Sequence, residues 1–88
     1  MNLTIVSAEM KKDGDGSFLG RTIFRVESHV ADYEITFFSK NGKDWDYSLN
    51  YASESGIEEQ FQQLDEAIEQ NDDLFDDLLD AAVDAYPE

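Results

Sequence analysis

Polar and apolar residues alternate over three stretches in the first half of the chain. In 18–28, Thr22, Phe24 and Val26 face one way and Arg21, Arg25 and Glu27 the other. In 33–39, Tyr33, Ile35 and Phe37 oppose Glu34 and Thr36. In 44–51, Trp45, Tyr47, Leu49 and Tyr51 alternate with Asp44, Asp46, Ser48 and Asn50 without a miss. A period of two with one apolar face predicts half-buried antiparallel strands. Residues 2–10 add a fourth segment rich in β-forming residues, and turn-rich stretches at 11–16 and 28–32 divide the strands.

The third connection holds Asn41-Gly42, which suggests a two-residue hairpin. That register sets Phe37 against Asp46 and turns the two apolar faces apart. A three-residue loop over 40–42 restores them, with Gly42 in the left-handed position of a bulge. It predicts Phe37 opposite Trp45, Ile35 opposite Tyr47 and Tyr33 opposite Leu49.

After Tyr51 the period lengthens. Ser55 and Glu58 have the spacing of a capping box, and Ile57, Phe61, Leu64 and Ile68 recur at helical spacing. The stretch 70–72 interrupts the pattern, and Asn71 or Asp72 is suited to cap a second helix. That helix carries Phe75, Leu78, Leu79, Ala82, Val83 and Tyr86 on one stripe and ends before Pro87. The predicted order is β-β-β-β-α-α. This is an α+β fold: a four-stranded antiparallel meander with two amphipathic helices packed on one sheet face. The expected organisation is one domain over 1–88, with the sheet in 1–52 and two acidic helices in 55–86.

Charge changes the picture from fold to surface. The 88 residues hold 6 Lys+Arg and 21 Asp+Glu, a formal charge of −15. All six bases lie in residues 1–43 beside six acids, so that half is neutral. Residues 44–88 carry the other fifteen acids and no Lys or Arg. Direct nucleic-acid binding needs clustered bases and is excluded, as is attraction to an anionic membrane. The hydrophobic content of 41% is enough for a core, so the charge does not imply disorder. With no Cys, a disulfide framework, a thiol nucleophile and a Cys-based zinc site are all excluded. The first residues have neither a basic n-region nor a long apolar run, so no signal peptide is read and a cytoplasmic location is expected.

Projected at 100° per residue, Asp73, Asp77, Asp80 and Asp84 form a row opposite the apolar stripe of the second helix, widened by Asp72 and Asp76. On the first helix Glu58, Asp65 and Glu69 are expected on the outward face. Neither helix has a base to pair with these acids. Like charges one turn apart are destabilising, and Asp near a helix C-terminus opposes the dipole. Residues that work against local stability point to function. These nine acids are therefore the candidate partner-binding residues, and a basic protein is the expected partner. The plain alternative is a solvated face that keeps the protein soluble.

Other chemistry is poorly supplied. Asp13-Gly14-Asp15-Gly16 suggests a calcium loop, but the positions that need Gly and Glu hold Phe18 and Phe24, so a hairpin turn is expected. His29 is the only His, which leaves a triad or a His-based zinc site without parts. No catalytic residue, metal or cofactor is assigned, and no enzymatic activity is expected. Arg21 and Arg25 are expected to pair with Glu34, Asp44 or Asp46. Ile23 and Phe38 point to the same sheet face and mark a candidate homodimer surface. The chain carries no family motif. In architecture and charge it resembles, as a type, small acidic inhibitors such as toxin-immunity proteins and nucleic-acid mimics. That likeness implies a non-catalytic inhibitor or regulator of a basic protein. The alternative is a housekeeping or oligomeric domain whose sheet makes the contacts.

Overall fold

The alternating stretches form the strands their periods demand. A computed structural model describes residues 2–86 and shows β1 (Leu3–Lys12), β2 (Phe18–Val26), β3 (Asp32–Ser39), β4 (Asp46–Tyr51), α1 (Glu58–Gln70) and α2 (Asp72–Asp84). Pro87, read above as following the last helical turn, lies outside the described residues. The sheet is an antiparallel meander in the order β1-β2-β3-β4, and both helices lie on its apolar face. Phe24, Val26, Tyr33, Ile35 and Phe37 of the sheet meet Leu64 and Ile68 of α1 and Leu74, Leu78 and Ala82 of α2 in one core. Aromatic rings stitch the layers together: Phe61 lies against Tyr33 and Tyr51, and Phe75 against Phe37 and Tyr47. Thr22 is the polar exception on the inner face. It is fully buried, and its hydroxyl donates to the Leu78 carbonyl at 3.0 Å, tying β2 to α2.

The β3–β4 register differs from the expected one by two residues. Phe37 pairs with Tyr47, Ile35 with Leu49 and Tyr33 with Tyr51. Parity is kept, so every side chain still points to the expected face, but the loop is wider. It is closed by side chains: the Ser39 hydroxyl accepts from Gly42 N at 2.8 Å, and Asn41 Oδ1 accepts from Lys43 N and Asp44 N at 2.8 and 3.0 Å. Gly42 does take a left-handed conformation, at φ 77°. Trp45 leaves the sheet and packs on Phe18, with ring centroids 6.1 Å apart.

The helix starts also need correction. The Ser55 capping box does not form: Ile57 occupies the cap position in an extended conformation with no side-chain cap bond, and α1 starts at Glu58. Residues before it carry the chain from sheet to helix, with Gly56 pressed against Ala31 and Tyr51. Ile57 is consequently 46% exposed; on α2, Val83 of the expected stripe is 45% exposed and Leu74 joins the core. The second cap is as expected, since Asn71 Oδ1 accepts from Asp73 N and Leu74 N at 3.1 and 3.3 Å.

Candidate functional site

The apolar stripes that bury α1 and α2 force their remaining positions outward, and those positions hold the acids. Glu58, Glu69, Asp72, Asp73, Asp76, Asp77, Asp80 and Asp84 lie on this outer side, all of them exposed. Asp72 and Asp73 occupy the first turn of α2, where the dipole favours them; Asp80 and Asp84 sit toward the end where it does not. Asp77 also borders a groove of about 430 Å³ between α2 and the edge strand β1, lined by Asn2, Leu3, Ile5 and Leu74.

Asp65 departs from the expected outward face. It is half-buried at the seam between α1 and the sheet, where the Tyr47 hydroxyl donates to its Oδ1 at 3.4 Å. Burial, together with the charges of Asp65 and Glu69, pushes the Tyr47 phenol up to about 12. Asp65 thus serves packing, and the outward acidic face consists of the other eight residues with Glu59 and Glu66.

Among the described residues the ion pairs all lie on the opposite, open face of the sheet. Arg21 bridges Glu9 at 2.7 Å and Glu34 at 3.8 Å, and Arg25 pairs with Asp32 at 3.0 Å. Glu34 is the partner expected for an arginine; Asp44 and Asp46 are not used, because Glu9 and Asp32 are the direct cross-strand neighbours of Arg21 and Arg25. The helix acids have no basic partner among the described residues.

The remaining signals resolve into structure. The segment 13–17 is the turn of the β1–β2 hairpin. The Ser17 hydroxyl and backbone N–H donate to Asp15 at 2.7 and 3.0 Å and hold its carboxyl below its ordinary value. His29 Nδ1 sits 2.8 Å from the buried Tyr33 hydroxyl. Among the described residues, no three His, Asp or Glu side chains are grouped so as to hold a metal ion, and no helix is long and apolar enough to cross a membrane.

Two features escaped the sequence reading. Gln60 clamps the β2–β3 connection to α1: its amide donates to the Ser28 carbonyl at 3.2 Å and accepts from Val30 N at 3.1 Å. It braces a connection in which Ser28 takes a left-handed φ of 73°, and thereby fixes the start of the acidic helix. No local pattern marks such a contact over thirty residues. The second is Leu19, which stands beside Phe38 on the open sheet face. Its odd-numbered position in the alternation with Arg21, Ile23 and Arg25 was a usable signal.

No family model matches the chain, and no significant match is found among curated proteins or solved structures.

Proposed function

We propose that this chain is a non-catalytic acidic protein that docks its helical face on a basic protein and thereby inhibits or regulates it. One observation carries this reading: among the described residues, the helix carboxylates line the outer side without basic partners, while the ion pairs are confined to the opposite face. A solubilising charge has no need of such segregation. Carboxylates one helical turn apart are spaced by about 5.4 Å, on the scale of phosphates along a nucleic-acid strand. A partner groove lined with Lys and Arg for anionic ligands is therefore the matching surface. Charge complementarity of this kind speeds association about 10- to 1,000-fold at low salt.

The test is quantitative affinity capture from the source cell, comparing the wild type with a variant in which Asp73, Asp77, Asp80 and Asp84 are changed to Asn. The wild type is expected to retain a basic protein at moderate salt and release it as salt rises, and the variant to lose it. A captured set that is the same for both proteins, or no basic protein retained by the wild type, sinks the proposal.

A further inference from the structure

The helices cover one face of the sheet and leave the other to solvent. On that open face the register aligns Lys11, Leu19, Phe38 and Asp46 across β1, β2, β3 and β4 in one row. Leu19 is 49% exposed and Phe38 40%, and they are direct neighbours. The row therefore reads positive, apolar, apolar, negative. Such a row is complementary to its own reverse. Further along the strands, Arg25 stands beside Asp32, a charge pair that is likewise its own complement when reversed.

We infer that two copies of this chain pack open face to open face, related by a twofold axis that runs parallel to the strands over the β2–β3 boundary. This operation reverses the strand order while keeping each row in place. Leu19 then meets Phe38 of the second copy, Lys11 meets its Asp46, and Arg25 meets its Asp32. The contact is isologous, so each pair occurs twice.

Net charge selects the same geometry. Two chains of charge −15 repel through most of their surface. The open face carries Lys11, Arg21 and Arg25 against Glu9, Asp32, Glu34 and Asp46, and is close to neutral. Packing through it leaves the helix carboxylates on the two outer surfaces, separated by both sheets. That is more than the ~10 Å sheet spacing and beyond the Debye length of ~8 Å. Four strands ~4.8 Å apart, each presenting about six residues at ~3.3 Å, give a face of roughly 400 Å² in projection. A pair thus removes roughly 800–1,000 Å² in total, below the ~1,200 Å² of stable specific interfaces and in the range of transient ones, which makes this a weak, concentration-dependent dimer.

Sedimentation equilibrium from about 10 µM to about 1 mM tests it, with circular dichroism confirming that each variant is folded. The wild type is expected to shift from monomer toward dimer within this range. Phe38→Asp places a charge in the apolar middle of this row and is expected to weaken association at least ~30-fold. Lys11→Asp and Asp46→Lys should each weaken it several-fold, and the double variant K11D/D46K should recover wild-type association. Lys11 and Asp46 lie on opposite edge strands of the same sheet, so rescue reports a contact between copies. Asp46→Lys also lowers the net charge, so a bulk-charge effect would strengthen association where this geometry weakens it. A wild type that stays monomeric throughout, a Phe38→Asp variant that dimerises unchanged, or a double variant no better than the singles overturns the inference.

Discussion

Replacing Asp80 by lysine is expected to stabilise the fold. Asp80 is exposed on α2, and its neighbours one turn away include Asp76, Asp77 and Asp84, also exposed. On a helix surface, residues three and four apart lie side by side, and like charges there cost about 0.2–0.5 kcal/mol per pair while opposite charges gain a similar amount. A lysine at this position would convert three repulsions into attractions. One ammonium engages its neighbours in turn rather than all together, so the swing is about 1–2 kcal/mol in total. Lysine is also the better helix former.

Urea denaturation measures the effect. A chain of this size has a slope of roughly 1 kcal/mol per molar urea, so the midpoint should rise by about 1–2 M with the slope unchanged. Asp80→Asn removes the repulsion without adding attraction and should gain roughly half as much. At about 1 M salt the Debye length falls to about 3 Å, and most of the gain should vanish. An Asp80→Lys variant no more stable than wild type, or equally stabilised at low and high salt, would refute the claim that the acidic face works against the stability of its own helix.

Two further perturbations test how the acidic helices are held. A Cβ at Gly56 would stand 2.6 Å from the Ala31 Cβ and 3.2 Å from the Tyr51 ring; a methyl cannot rotate away, so Gly56→Ala should cost about 1–3 kcal/mol in thermal or urea unfolding, and Ala31→Gly in the same chain should recover much of it. Tyr47 should be a late tyrosine in a phenolate absorbance titration, near the value of about 12 set by burial and the Asp65 and Glu69 charges, and Tyr47→Phe should remove that phase. Its folded value lies above the unfolded value near 10, so its contribution to stability is intact below about pH 10 and is lost as pH rises toward 12; an unchanged titration in the Tyr47→Phe variant would count against this assignment.

The element order was legible because the period of the apolar residues changes once, from two to helical spacing, after Tyr51. Face assignment was legible for the same reason, since parity decides which side a strand residue takes. Parity does not choose between registers that differ by two. That choice fell to Ser39 and Asn41, whose side chains close a wider loop, and to Phe18, which draws Trp45 out of the strand. Neither contact leaves a local trace. The bulge in β1 between Ile5 and Ser7 was equally silent, because Leu3, Thr4, Ile5, Val6, Ser7 and Ala8 do not alternate. Asp65 shows the limit of a helical projection. The projection gives angles around one axis, but the reach of Tyr47 from β4 decides whether that angle meets water or protein.

Eight of the nine candidate acids could be placed on the outer side from composition and spacing alone, Asp65 being the exception. The row Lys11, Leu19, Phe38 and Asp46 could not, since it exists only once three registers are fixed together. The two faces are physically linked. A helical face rich in carboxylates makes self-association through the helices unfavourable, while the bases held on the sheet keep the open face nearly neutral. A sheet-to-sheet pair would present two acidic faces pointing in opposite directions. Each would engage its own basic partner, and the two partners would be kept apart by the full thickness of the pair. The expected assembly is two copies of this chain with two partners. Because the two partners do not touch, they should bind independently of each other, while Phe38→Asp should halve the mass of the assembly and leave the affinity of each acidic face unchanged.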